Sequence, residues 1–251
     1  MSENNNYDIV ILSLARNCEH TIEIFFNFLE NLTKKGFNVL SIVGENNSED
    51  FTFNKLQKYS ESSDLLQLLD TTFIEKFDDR IIRLSKARQY IKDHLHKKNI
   101  QSKYICVVDL DEVISSGLTI QSFLDLKKTL DNNSDKLFAV SAKSIPFYYD
   151  ILNYEDKNNL NLDVIKLQNR KDVISYFERK EKIYNLQKRL TNLDEIVSIS
   201  SFNGLCLYYF NDFKEGYYYQ EQNNNPTPEH LNLNRIISKK TNKNILVSNR
   251  I

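Results

Sequence analysis

The chain has 251 residues, 41% of them hydrophobic, with 33 basic and 34 acidic side chains and a formal net charge of -1. That is enough apolar material for one large α/β domain, while the balanced charge argues against a general nucleic-acid or membrane-surface binder. The longest apolar runs, Ile9 to Leu12 and Tyr104 to Val108 among them, are strand-sized and far too short for a membrane span.

The opening MSENNNYD lacks the basic and apolar regions of a signal peptide, so a cytoplasmic protein is expected. Tyr7 to Leu14 is a predicted strand. An amphipathic helix follows from about Glu19 to Lys35 and stops at Gly36. Val39 to Gly44 is a second strand, and Glu45 to Asp50 is a polar turn in which Asp50 is placed to cap a short helix, Phe51 to Tyr59. A third strand is expected at Leu65 to Leu69. Asp79 to Lys98 carries Ile82, Ala87, Ile91 and Leu95 at helical spacing. Tyr104 to Leu110 is nearly all apolar, as in a parallel sheet covered on both faces. A helix over Thr119 to Leu130 and a strand over Leu137 to Ala142 complete an alternating pattern. It predicts a doubly wound, largely parallel sheet in the first 145 residues. Beyond it, Asp172 to Leu193 is read as a charged helix, Ser198 to Phe210 as strand-rich, the NNNP stretch at Asn223 as a loop, and His230 to Lys240 as a helix. Cys18, Cys106 and Cys206 are odd in number and widely spaced, so no disulfide framework or zinc site follows.

Chemistry concentrates where strands end. Val107-Val108-Asp109-Leu110-Asp111-Glu112 closes a buried strand with two carboxylates two residues apart, at the edge where open α/β sheets bind ligands. A hard divalent cation that also holds a diphosphate needs only one or two protein carboxylates, because phosphate oxygens and water fill its other positions. Asp109 and Asp111 suit that role; a polar strand end leading into a helix cap is the plainer alternative. The turn Glu45-Asn46-Asn47-Ser48-Glu49-Asp50 offers amides and carboxylates to a ribose and base. Arg80, Arg83 and Arg88 share one helix, either as a solvated face or as a phosphate clamp. His94 and His96 diverge on it and are assigned to the surface. His230, beside Glu229 at the start of the last helix, is either structural or, as neutral imidazole, a partner for Mn²⁺.

The order of these pieces carries more than any one of them. Ala15-Arg16-Asn17 follows the first strand and ENNSEDFT (Glu45 to Thr52) the second. RIIRLSKARQY (Arg80 to Tyr90) then precedes YICVVDLDEV. FYYDILNY (Phe147 to Tyr154), SSFNGLCLYY (Ser200 to Tyr209) and EHLNLN (Glu229 to Asn234) come after it. The series resembles a family of GT-A glycosyltransferases related to fungal-capsule α-1,3-mannosyltransferases and their bacterial and giant-virus homologues. The likeness runs from Tyr7 to the terminal strand Asn244 to Ile251. Enrichment in Asn, Lys and Ile points to AT-rich coding DNA of a bacterium or large DNA virus, which would place a viral protein in the host cytoplasm.

The resemblance implies an α/β, GT-A (Rossmann-like) fold with a mostly parallel central sheet flanked by helices. It implies one domain over 1–251, with a nucleotide-binding half at about 7–145 and an acceptor-binding half at about 146–251. It also implies a hexosyltransferase of polysaccharide biosynthesis, with a UDP- or GDP-sugar donor, a glycan acceptor and Mn²⁺ or Mg²⁺. By the same resemblance Arg16, Asn17, Glu45 and Asn46 belong to the nucleotide pocket. Asp111 would be the more direct metal ligand, Asp109 would lie near ribose or metal, and His230 would complete the metal shell. Arg88 would approach the diphosphate, Asp150 the acceptor or donor sugar, and Asn203 with Gly204 the sugar. Two departures stand out: Gln89 replaces the family's usual Asn, and Asn203 stands where Gly is common. Two rival readings remain. One is a HAD-type phosphohydrolase with Asp109 as nucleophile and Asp111 as general acid; the other is a non-catalytic domain that binds sugar nucleotides.

Overall fold

The computed structural model describes residues 5–111, 119–144, 148–158, 172–219 and 227–248. Glu112, Phe147, the loop at Asn223 and the last three residues of the expected terminal strand lie outside them.

In chain order the elements are β1 (Asn6–Ala15), α1 (Ile22–Lys34), β2 (Val39–Glu45), α2 (Thr52–Ser62), β3 (Leu66–Asp70) and a 3-10 turn (Thr72–Lys76). Next come α3 (Arg80–Lys97), β4 (Gln101–Val108), α4 (Ile120–Asp131), β5 (Leu137–Ala142) and a second 3-10 turn (Ile151–Asn153). The remainder is α5 (Val173–Thr191), β6 (Glu195–Ser198), β7 (Leu205–Tyr209), α6 (Phe210–Phe213), α7 (Glu229–Thr241) and β8 (Asn244–Ser248). The main elements expected from the sequence are present, with ends shifted by a few residues. The two 3-10 turns and α6 are too short to leave a periodic signal.

The eight strands of the described residues form one sheet in the order β3-β2-β1-β4-β7-β5-β8-β6. The pairs β1–β2, β1–β4, β2–β3 and β5–β8 are parallel, and β6 and β7 run against the other six strands. Alternation along each strand divides the core. Ile9 and Ile11 pack with Phe25, Leu29, Phe123 and Leu126 under α1 and α4. Val10 and Leu12 pack with Ile91, Leu95, Leu233 and Ile237 under α3 and α7. Both faces are therefore covered, which is why β1 and β4 read as continuous apolar runs.

Two local features set the site. Asp79 caps α3, its Oδ1 accepting the N–H groups of Ile81 and Ile82 at 2.7 and 3.0 Å, so Arg80 and Arg83 fall in the opening turns. Gly44 is next to last in β2, where an added Cβ would lie 2.8 Å from the side chains of Ile91 and Thr71, so any larger residue would push those side chains aside. Between β1 and β4 the order reverses: the chain leaves β1 for β2 and β3 on one side, then returns to place β4 on the other. Ligands bind at such a switch point, outside the carboxyl ends of the strands.

Candidate functional site

A cleft of about 430 Å³ opens at that switch point. Its floor is Arg16 after β1 and Asp109 and Asp111 after β4; Arg80, Arg83 and Arg88 enter from α3, Asp150 from the loop after β5, and His230 from α7. Residues from the whole length of the chain thus meet in one place.

β4 stops at Val108, two residues short of the expected end. The Asp109 N–H still bonds to the Gly204 carbonyl at 2.9 Å, extending the ladder by one rung. The Thr21 hydroxyl donates to the Leu110 carbonyl, so the start of α1 anchors the turn that carries both acids.

Arg88 lies at the centre and is 7% exposed. Its Nη2 donates to Asp109 Oδ1 at 2.6 Å, its Nε reaches Glu229 Oε1 at 3.4 Å, and its guanidinium lies 5.4 Å from the Phe202 ring centroid. Burial pulls its pKa down, but Asp109 and Glu229 more than offset that and hold it above the ordinary range. Burial pushes Asp109 up to about 6; Arg88 opposes this and neighbouring Asp111 reinforces it. Sequence reading placed Arg88 against a diphosphate. In the structure it is first the counterion of two carboxylates, the buried Glu229 and the partly buried Asp109.

Asp150 has both carboxylate oxygens 3.0 Å from Asn153 Nδ2. Burial raises it to about 7; Asn153 pulls it down, and Glu229 and Asp109 push it further up. Asn153 also accepts the Leu231 N–H at 3.0 Å through Oδ1, tying the Asp150 loop to the first turn of α7.

His230 is 1% exposed, stacked on Phe202 at 3.5 Å between ring centroids and edge-on to Tyr218. Neither ring nitrogen has a hydrogen-bond partner. Burial, then Arg88, holds its pKa well below the usual histidine value, so the imidazole is neutral. Among the described residues no group of three or more His, Cys, Asp and Glu is arranged to hold a metal. Asp109, Asp111 and His230 therefore do not form a ready-made three-ligand shell. The orphan nitrogens of His230 and the two acids after β4 nonetheless supply donor types that suit a divalent cation.

On the nucleotide side the expected residues divide. Arg16 and Asn46 line the cleft, and Asn46 is 9% exposed with an unpartnered Oδ1. Glu45 and Asn17 do not line it. Glu45 turns its carboxylate to the Ser48 N–H at 2.7 Å. Asn17 (φ 51) donates its N–H to Ser48 Oγ at 3.0 Å and accepts from the Glu49 N–H at 2.8 Å. Both brace the turn after β2. Asn203 is fully buried and, like Gly204, is absent from the cleft wall. Sequence reading did not single out Thr71, Phe202 or Asn153, and gave Glu229 no role in pairing Arg88. Thr71, Phe202 and Glu229 lie far from their partners along the chain, and although Asn153 is three residues from Asp150, its other partner, Leu231, is 78 away, so no local pattern marks them.

No family profile matches the chain. A UDP-N-acetylglucosamine–N-acetylmuramyl-(pentapeptide) pyrophosphoryl-undecaprenol N-acetylglucosamine transferase from Prochlorococcus marinus (strain MIT 9312) is 26% identical over 179 residues, 67% of this chain and 48% of its own length. The chain thus spans about half the length of that curated relative. Among solved structures, a mannosyltransferase from Pyrobaculum calidifontis in complex with GDP-Man and Mn²⁺ is 11% identical, with a TM-score of 0.49 over 97% of this chain and 55% of the other. Mannosyl-3-phosphoglycerate synthase from Rubrobacter xylanophilus is 10% identical, with a TM-score of 0.45 over 82% and 55%. Glucosyl-3-phosphoglycerate synthase from Mycobacterium tuberculosis, in complex with Mn²⁺, UDP and glucosyl-3-phosphoglycerate, is 12% identical, with a TM-score of 0.41 over 83% and 59%. These scores are too low to transfer any residue's role. No described helix is long and apolar enough to cross a membrane.

Proposed function

We propose that the chain is a metal-dependent GT-A glycosyltransferase that moves a sugar from a UDP- or GDP-sugar to a hydroxyl of a glycan or similar acceptor. The observation that carries this reading is one cleft at the switch point that holds Asp109 and Asp111 beside Arg16, Arg80 and Arg83, with Asp150 also in its wall. The arginines suit a diphosphate, the acids a divalent cation, and the unpartnered Asn46 Oδ1 a ribose hydroxyl or a base N–H. The motif order in the sequence supports the same reading, as does the name of the curated relative, a transferase for UDP-N-acetylglucosamine.

Asp111 and Asp109 would hold Mn²⁺ or Mg²⁺ together with phosphate oxygens, and His230 would join them. Once bound, the cation supplies Lewis-acid neutralisation of the departing diphosphate. Asp150 takes the proton from the acceptor hydroxyl as its oxygen attacks the anomeric carbon. The bond from that carbon to the diphosphate oxygen breaks, and the nucleoside diphosphate leaves with the electron pair. Direct displacement from the face opposite the diphosphate would invert the anomeric carbon, and it is in that course that a carboxylate base beside the acceptor hydroxyl is needed. The phosphohydrolase reading has less support, because Arg88 holds Oδ1 of the supposed nucleophile and three strands precede the acidic one.

Thermal shift with UDP, GDP and their sugars, with and without Mn²⁺, tests the proposal. At a nucleotide concentration about 100-fold above Kd, the melting temperature should rise by roughly 5–10 °C with Mn²⁺ and by clearly less without it. If no nucleoside diphosphate or nucleotide sugar shifts the transition under either condition, the reading fails.

The burial of His230 dictates how its metal role is tested. Alanine would open a cavity between Phe202 and Tyr218 and cost stability whatever the imidazole does. His230→Phe keeps the stacked ring and deletes both unpartnered nitrogens. The variant should melt no lower than wild type, and its Mn²⁺ affinity in the presence of UDP or GDP should fall on the order of 10-fold. Unchanged affinity by calorimetry would leave Asp109 and Asp111 as the protein's ligands.

A further inference from the structure

The dipeptide Asn203-Gly204 stands away from the cleft wall, yet it touches the segments carrying both Asp109 and Asp150. Both residues have left-handed backbone angles, φ 56 and φ 85. Asparagine tolerates that region better than other side chains, and glycine freely. The paired turn sets the Gly204 carbonyl against the Asp109 N–H at 2.9 Å. Meanwhile the Asn203 side chain reaches the loop after β5. Its Oδ1 is shared by the N–H groups of Tyr149 and Asp150, at 3.2 and 3.3 Å, and by the Ser144 hydroxyl at 3.3 Å. Its Nδ2 donates to the Ala142 carbonyl at 3.3 Å and to Ser144 Oγ at 3.0 Å, and its own N–H points to Asp150 Oδ2 at 3.4 Å.

We infer that Asn203 is a positioning residue for Asp150, and that with Gly204 it sets the placement of Asp150 relative to Asp109 across the cleft. This rests on the reading of Asp150 as the base that takes the acceptor proton. An asparagine that merely filled the core would satisfy its amide anywhere. Here the bonds converge on the end of β5 and the loop carrying Asp150, and its backbone N–H turns to the Asp150 carboxylate. Preorganisation of this kind matters because a misplacement of about 1 Å at a reacting group can cost about 100-fold in rate. The residue accordingly acts through Asp150 and needs no contact with sugar.

Asn203→Gly tests the inference, since glycine keeps the left-handed backbone and removes only the amide. Amide hydrogen exchange at Tyr149 and Asp150 should quicken by at least about 10-fold, with the sheet unaffected. In transfer assays kcat should fall about 10–100-fold while the donor KM stays put, because no nucleotide-side residue bonds to Asn203. Unaltered exchange at both amides, or loss in donor KM in place of kcat, would overturn the assignment. If the glycine variant does not fold, Asn203→Asp serves: it keeps the acceptor oxygen and sets a second carboxylate against Asp150. The two amides should stay protected and the activity limb should move to higher pH; a limb unmoved would overturn the assignment. Should the wild-type chain turn over no nucleotide sugar, the functional reading fails, and the exchange experiment still decides the clamp.

Discussion

Arg88→Met should destabilise the protein by about 3–5 kcal/mol at pH about 8, measured by urea unfolding. The methionine roughly fills the space of the arginine stem, so packing loss is small. What is lost is the one ion-pair partner of Asp109 among the described residues, and with it the partner of Glu229 at 3.4 Å. Two carboxylates, one buried and one partly buried, then lie close together with no cation between them. Without the guanidinium, which now pulls the Asp109 pKa down, that carboxyl titrates above its present value of about 6. The variant can relieve itself by binding a proton, so its deficit should shrink as the pH falls towards about 5. A loss below about 1 kcal/mol at the higher pH would mean that Arg88 contributes little beyond solvated charge. Glu229→Gln should cost less, since Asp109 keeps its close partner.

Asp150→Asn should lower kcat by about 10²–10⁴-fold, with nucleotide affinity preserved, if Asp150 takes the acceptor proton. The pH profile is the sharper readout. Burial pushes Asp150 up to about 7, so the reactive carboxylate forms only as the pH rises through that value. Wild-type kcat should climb through the same range, and the variant's residual rate should not. Stability should move the other way. A carboxyl whose folded pKa is raised favours the folded state while protonated, and that advantage is lost as the pH rises from about 3.9, its unfolded value, to about 7. Asp109, raised to about 6, contributes to the same descent, so the difference between wild type and Asp150→Asn isolates Asp150. A flat pH–rate profile in the wild type would remove Asp150 as the base.

Local pattern was enough for much of this molecule. The apolar runs of β1 and β4 announce strands covered on both faces, because a strand with one wet face must alternate. Asp79 announces the start of α3, because its carboxylate satisfies N–H groups only two and three residues ahead. Asp109 and Asp111 could be placed at a carboxyl edge because the strand before them is unambiguous. All these signals act within a few residues, where sequence and geometry are directly linked.

The rest depends on segments that meet across the whole chain. Nothing in Leu205 to Tyr209 says that this strand enters antiparallel between β4 and β5, since a buried apolar pentapeptide suits either direction. Yet that insertion delivers Asn203 and Gly204 to the ends of both acidic segments. Arg88 and Glu229 are 141 residues apart, so their pairing leaves no spacing to read. Glu45, Asn17 and Asn203 are polar residues beside a ligand-sized cleft, and from sequence they look like ligand contacts. Folding commits their side chains to neighbouring backbone instead; for the buried Glu45 and Asn203 a polar group left unpaired would cost about 1–3 kcal/mol, and the nearest N–H groups belong to the turns they brace. His230 shows the converse. Its burial between Phe202 and Tyr218 with both nitrogens unpartnered is a product of packing, and a lone histidine at a helix start looks the same in sequence whether it is surface, core or ligand.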